Sequence, residues 1–292
     1  MMPGKIDWLA SYPKSGNTWM RMLLANYFSE TDSPHDINTP GVTNGIAALR
    51  RRFDELLGVT SSDMTSDEVR SLQPNVYNML AAGRPEHQWM KVHDAQAKLP
   101  DGRWLFPPSV SGVVIYIIRN PLDVAVSSAF HDGHGNMDEA AEKLCNVDTQ
   151  IARKPSTQLP QFIGDWQHHV KSWADQKEIP VLVVRYEDML ADTARELARV
   201  IAFARPDCDI DHTRIEAAVD NTAFERLQAV ESGAGFVEKP PEIERFFRNG
   251  KAGDWRNHLT MEQTKRICAQ HGDVMGRFGY DVETYLGECD VR

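Results

Sequence analysis

Four short stretches of this chain gather side chains that together could grip a phosphate-bearing molecule and move a proton. The first is Tyr12-Pro13-Lys14-Ser15-Gly16-Asn17-Thr18-Trp19, where one lysine sits among small and hydroxylated residues. Pro13 and Gly16 punctuate a tight turn. A helix opening near Thr18 leaves its first backbone N–H groups without internal partners and aimed at an anion. Lys14 adds a full positive charge there, and Ser15 and Thr18 add hydroxyl donors. The second stretch is Lys91-Val92-His93, in which a cation and an imidazole two residues apart point to one side of a regular strand. The third is Arg119-Asn120-Pro121, with Ser127 further along, so that a guanidinium and a hydroxyl are placed to share one phosphate. A buried guanidinium needs an anion to offset its desolvation, and a neighbouring carboxylate would serve as well. The fourth, residues 247–256, is a basic loop broken by Gly250 and Gly253 and carrying Arg248, Asn249 and Lys251.

The elements that must hold these groups follow from periodicity. Residues 6–10 read as a short buried strand, and Trp19, Met22, Leu23 and Tyr27 recur at helical spacing after the turn. Residues 89–93 are short enough for a strand, and 113–118 form a β-rich apolar run. Pro121 suits the first position of the helix that follows, with Asp123 in its first turn. Residues 180–185 are the next buried strand and run into Tyr186-Glu187-Asp188. Strands alternating with helices place the chain in the α/β class. Between the first two strands, 31–45 read as loop, followed by helical pieces near 46–57, 67–72 and 76–82. The second piece is opened by Thr65-Ser66-Asp67-Glu68. This insert either walls a ligand crevice or is a plain packing excursion. Later segments read as a helix over 138–147, a polar loop over 151–159, and a helix carrying His168, His169, Val170 and Trp173. Further helices cover 191–205 and 211–219, and a closing helix and tail follow 260. Thr222-Ala223-Phe224-Glu225 fits a capping box.

Bulk properties narrow the partners. The 292 residues carry 32 basic and 42 acidic side chains, a formal charge of −10, which argues against a nucleic-acid polymer. A small anionic ligand needs only a few local cations. Cys145, Cys208, Cys268 and Cys289 are far apart with no C-x-x-C, which speaks against a metal site or disulfide framework. His168-His169 lacks the i, i+4 spacing of a helical zinc pair. No apolar run approaches the roughly 20 residues that span a bilayer, and the N-terminus lacks a signal-peptide core. No membrane association and a cytoplasmic location are expected.

The first loop departs from the nucleotide pattern G-x-x-x-x-G-K-[ST], since Lys14 precedes Gly16 and no glycine opens it. Instead, Tyr12 to Trp19 resembles the 5′-phosphosulfate loop of cytosolic-type sulfotransferases, which use 3′-phosphoadenosine 5′-phosphosulfate (PAPS). The run from Arg119 to Phe130 resembles the same family's 3′-phosphate motif, and Lys91-Val92-His93 resembles its Lys-Thr-His element. Tyr186-Glu187-Asp188, the run Asn221 to Glu225, and Phe247 to Thr260 resemble further signatures, so the likeness spans nearly the whole chain. It implies a three-layer α/β fold with a mostly parallel central sheet and a P-loop-like phosphosulfate loop. It also implies one sulfotransferase domain over 1–292, with 31–87 and 131–162 as acceptor-side insert and loop. Residues 231–260 would close over the cofactor.

By this resemblance His93 is the general base, Lys14 stabilises the leaving 5′-phosphate and Lys91 neutralises the sulfonate oxygens. Ser15, Gly16, Asn17 and Thr18 cradle the 5′ end with Lys14. Arg119, Ser127, Arg248, Asn249 and Gly250 take the 3′-phosphate, and Trp19, Tyr186, Thr222 and Phe224 surround adenine. Three positions depart from the family pattern: Asn17 and Val92 stand where threonine is usual, and Asn249 where lysine is usual. The reaction implied is sulfuryl transfer from PAPS to a hydroxyl or amine of a small-molecule acceptor. No acidic pair stands where a metal would be held, so no metal is expected; family habit suggests a homodimer. The rival readings are a kinase-like NTPase, which would need Mg²⁺ ligands, and a non-catalytic nucleotide-binding protein, motivated by Val92 and Asn249.

Overall fold

The strand that carries the first loop, β1 (Ile6–Ser11), is buried along its whole length. Both of its faces must therefore be covered, and helices cover them. The computed structural model describes residues 4–290 except 32, 40, 42, 85, 153 and 154. Parts of the loops expected at 31–45 and 151–159, and the Cys289 side chain, lie outside the described residues. Next come α1 (Asn17–Tyr27), β2 (Thr43–Ile46), α2 (Arg50–Leu57), α3 (Ser66–Ala82), β3 (Gln88–Val92), β4 (Ser111–Ile118) and α4 (Pro121–His131). The chain continues through α5 (Met137–Cys145), β5 (Gln150–Ile151), β6 (Gln161–Phe162), α6 (Trp166–Ala174), β7 (Val181–Arg185) and α7 (Tyr186–Ala191). It ends with α8 (Thr193–Ala204), α9 (His212–Asn221), α10 (Phe224–Ala234), α11 (Met261–Arg277) and α12 (Val282–Asp290).

Five strands form one parallel sheet in the order β2-β3-β1-β4-β7. Alternation along the strands sends side chains to two cores. Leu9, Trp89, Ile115, Ile117 and Val184 meet α1, α8 and α9 on one face. Trp8, Ala10, Met90, Val92, Val114 and Tyr116 meet the Trp166, Val170 and Trp173 face of α6 with parts of α3, α4 and α11 on the other. This is the expected three-layer α/β arrangement. The chain leaves β1 toward β3 and leaves β4 toward β7, so the crossovers part between β1 and β4. A crevice at the carboxyl ends of these strands is where open parallel sheets bind ligands.

Three local readings are corrected. The end of the 31–45 loop forms edge strand β2, paired with β3, and the following helix starts at Arg50 rather than near 46. The two helices expected at 67–72 and 76–82 are one, α3, running through Pro74. Proline removes a backbone donor and crowds the preceding turn, but burial of Val69, Val76 and Tyr77 on either side of it outweighs that cost. The capping box that opens α3 is present, with Thr65 and Glu68 exchanging hydrogen bonds. Thr222 is not the N-cap of a capping box. It ends α9, its hydroxyl donating to the Ala218 carbonyl at 2.8 Å, and Ala223 caps α10 without a side-chain bond.

Candidate active site

The carboxyl ends of β1, β3, β4 and β7 bring Lys14, His93, Arg119 and Tyr186 to one edge of the sheet. The turn after β1 is held in a demanding shape. Lys14 has φ 69° and is the only non-glycine with a positive φ among the described residues. Gly16 follows at φ 106°, and a Cβ there would fall 2.7 Å from the Tyr186 ring. Left-handed backbone costs an L-residue with a Cβ roughly 1–2 kcal/mol, so a lysine at Lys14 is retained against local preference. Asn17 locks the turn to its strand, its amide donating to the Leu9 carbonyl (2.9 Å) and to Ser11 Oγ (3.2 Å). Its side chain is thus turned inward, and only its backbone N–H remains to face a ligand. The Ser15 hydroxyl is buried without a protein hydrogen-bond partner. An orphaned donor beside a helix N-terminus is what a phosphate oxygen would satisfy. Thr18 is nearly buried in the first turn of α1, and Trp19 meets the Tyr186 ring edge-on at 5.9 Å.

Arg119 joins this loop to the distant basic loop. Its Nη1 donates to the Lys14 carbonyl and its Nη2 to the Lys251 carbonyl, both at 3.1 Å. The guanidinium lies 4.3 Å over the Tyr186 ring, and its Nε is buried without a partner. Its hydrogen bonds therefore go to two backbone carbonyls, not to a carboxylate. Asp123 makes the second tie. Its carboxylate accepts from the Gly253 N–H at 2.7 Å and the Trp255 N–H at 3.0 Å. The role expected for Asp123, complementing the α4 dipole, misses this longer-range one. Ser127 is half-buried one turn further along the same helix. Arg248 pairs with Asp254 and lies 4.2 Å over the Phe130 ring. Burial opposes ionisation of Asp254, yet hydrogen bonds from Arg248, Asn257 and Asn249 hold its carboxyl at about 2. Asn249, where a lysine would be usual, thus has a structural task. Gly250 adopts φ 63°, and any Cβ there would collide with the Phe224 ring. The two loops and both rings accordingly form one surface. Thr222 stands apart, 1% exposed and with its hydroxyl spent on α9.

His93 follows β3 directly. Its Nδ1 lies 2.9 Å from the Ser11 carbonyl. A carbonyl only accepts, so Nδ1 carries the proton and Nε2 holds the basic lone pair. The His93 carbonyl in turn accepts from His169 Nε2 at 2.9 Å, and the Tyr116 hydroxyl donates to His169 Nδ1 at 2.8 Å. Burial lowers His169 to about 4, so this ring stays neutral and can make both bonds. Lys91 lies on the α1 side of β3 and meets Glu238 at 3.0 Å; the other oxygen of Glu238 meets Arg21 of α1 at 2.6 Å. Arg21 and Glu238 carried no signal in the sequence, because the Arg21–Glu238 and Lys91–Glu238 pairs join residues 217 and 147 positions apart, beyond any local spacing rule. Asp254, by contrast, lies within the basic-loop signature and pairs with Arg248 six positions before it.

A parallel α/β sheet with a lysine-bearing anion cradle at its topological switch, a facing cationic loop and an oriented imidazole defines an enzyme that transfers an anionic group. Comparison with known proteins names the family. The profile of the sulfotransferase domain matches residues 7–279, and the chain belongs to that family. It is 27% identical over 282 residues to sulfotransferase 1E1 of Homo sapiens, covering 91% of this chain and 82% of that protein. It is 25% identical over 267 residues to amine sulfotransferase of Oryctolagus cuniculus, covering 88% of this chain and 76% of that one. Its fold is shared with mouse sulfotransferase SULT7A1 complexed with PAP (TM-score 0.59, 20% identity, 97% and 88% covered). It is shared also with retinol dehydratase in complex with androsterone and inactive cofactor PAP (TM-score 0.56, 20% identity, 94% and 82% covered). The chain is a sulfotransferase, which decides against the kinase-like reading. Among the described residues no helix is long and apolar enough to cross a membrane.

Proposed function

We propose that this protein transfers a sulfuryl group from PAPS to a hydroxyl or amine of a small-molecule acceptor, with His93 as general base. The observation that carries this reading is Arg119, which ties the Lys14 loop and the Lys251 loop to one guanidinium. A nucleotide with a phosphate at each end of its ribose needs two anion sites held at a set separation. The orphaned Ser15 hydroxyl and Arg119 Nε, and the close approach of backbone at Gly16 and Gly250, fit such a ligand. Lys14, Ser15 and the backbone N–H groups of Gly16, Asn17 and Thr18 would hold the 5′ end. Arg119, Ser127, Arg248 and Gly250 would hold the 3′-phosphate, and Trp19, Tyr186 and Phe224 would flank adenine.

When bound, PAPS supplies an SO₃ group that passes to the acceptor as its bond to the 5′-phosphate oxygen breaks. His93 takes the acceptor proton on Nε2, the nitrogen its bond to the Ser11 carbonyl leaves basic. Lys14 and the helix N-terminus stabilise charge developing on the 5′-phosphate, and Lys91 offsets charge on the sulfonate oxygens. The test is PAP release from PAPS with a panel of phenols, alcohols and amines, run with wild type and His93→Asn. The variant is expected to lose about 10²–10⁴ in turnover while PAP binds as before. Unchanged turnover would refute the base assignment, and failure of the wild type to bind PAP would refute the whole reading.

A further inference from the structure

Residues 235–260 lie across α1 and the loops, and one carboxylate in that segment stands in an unusual place. Glu238 bridges Lys91 of β3 and Arg21 of α1, with one oxygen on each (3.0 and 2.6 Å). The lysine side chain is 12% exposed and the arginine 7%, so both cations are largely desolvated. Burial alone would raise the Glu238 carboxyl, but Lys91 and Arg21 outweigh it and hold it down to about 2. The residue is a fixed anion at any working pH. The rest of the segment has its own anchors: Glu231 accepts from the Phe246 and Phe247 N–H groups at 2.6 and 3.0 Å. Phe236, Phe246 and Phe247 pack together against Met22, Ile37 and Leu227. Asp123 secures Gly253 and Trp255. Tethering the segment therefore does not depend on Glu238 alone.

Lys91 is the cation that the mechanism above assigns to the sulfuryl group, and the present inference rests on that assignment. A second anion approaching Lys91 meets a carboxylate at hydrogen-bond distance, and two like charges in a poorly hydrated site disfavour one another. We propose that Glu238, held from its other side by Arg21, occupies the sulfuryl group's station on Lys91 and exchanges with it, so that this one residue sets the protein's preference between sulfuryl donor and spent nucleotide. PAP has no group to place on Lys91 and leaves Glu238 where it stands. PAPS must displace it. After transfer the carboxylate can return to the two cations, which favours departure of the sulfated product.

The experiment is calorimetric titration of the full chain with PAPS, without acceptor, and separately with PAP, for wild type, Glu238→Gln and Glu238→Asp. Gln removes the charge, and Asp is too short to span both cations. The loss of one charge-assisted bond is worth about tenfold in affinity. Both variants are expected to tighten PAPS by about that factor and to change PAP by less than about twofold. Equal tightening of both nucleotides would reduce Glu238 to a bulk electrostatic term and overturn the proposal. Weakening of both, or no change in either, would make it a tether or a bystander and overturn it too. Wild type that binds neither nucleotide would instead sink the functional reading itself, so the two failures are distinguishable. Melting temperatures of the variants establish that the titrated protein is folded.

Discussion

Lys14 offers a separation of stability from catalysis. Its φ of 69° burdens the fold whatever side chain with a Cβ stands there, and its charge serves the reaction. Lys14→Ala keeps the strain and loses the charge. Lys14→Gly loses both. A left-handed residue with a Cβ costs roughly 1–2 kcal/mol, and glycine's greater freedom in the unfolded chain takes back about 0.5–1 kcal/mol. The glycine variant should thus exceed the alanine variant in stability by about 0.5–1 kcal/mol. In a chain of this size that is a difference in Tm of about 1–4 °C. The contact between Lys14 Nζ and the Phe246 ring, 4.4 Å to the centroid, is lost in both and cancels. Turnover should fall about 10²–10³-fold in both, the usual cost of deleting a donor to a developing oxyanion. Differential scanning fluorimetry and PAP release under saturating PAPS read the two quantities. If alanine and glycine melt alike, the strain argument fails. If glycine turns over like wild type, the charge does not act on the leaving group.

Two further outcomes follow from the contacts. Asp123→Ala removes the acceptor of the Gly253 and Trp255 N–H groups, and should weaken PAP binding about tenfold as the basic loop drifts from Arg119; titration with PAP giving wild-type affinity would detach that loop from the 3′-phosphate. His271 is lowered to about 4, chiefly by burial, against the opposing Asp165 charge and a hydrogen bond to the Leu144 backbone. Since a histidine in the unfolded chain titrates near 6.5, the unfolded state binds a proton that the folded ring refuses between about pH 6.5 and 4. Its contribution therefore falls as pH drops through that window and is constant above it. His271→Gln should flatten the fall in Tm between pH 7 and 5, and parallel curves for variant and wild type would refute the shift. Comparing the two proteins cancels His169 and Asp94, whose carboxyl burial pushes up to about 7.

The amino-acid sequence alone carried four of the five strands of the central sheet, β1, β3, β4 and β7, with the loop that follows each and the residues placed at their ends. Lys14 and Arg119 stood out because each sits where a short apolar run meets a turn, whereas His93 was singled out from the other histidines by the likeness of Lys91-Val92-His93 to the Lys-Thr-His element. The edge strand β2 was not legible, because four residues of mixed polarity become a strand only when β3 offers them a ladder. The unbroken α3 was hidden by Pro74, whose local cost is outweighed by a core that no window of sequence contains. Thr222 misled for the opposite reason: its spacing to Glu225 is right for a cap, but the end of α9 claims its hydroxyl first.

What the order of residues determined was which chemical groups are present and on what local frame. What only the tertiary structure decided was how they are wired. Arg119 reaching Lys251, Asp123 reaching Gly253, and Glu238 reaching Lys91 are contacts across 130 to 147 positions. Charge and hydrogen-bonding capacity belong to a residue wherever it stands, whereas partnership is settled by distance in space. A sheet that gathers its strand ends at one edge creates that distance only once the chain has folded.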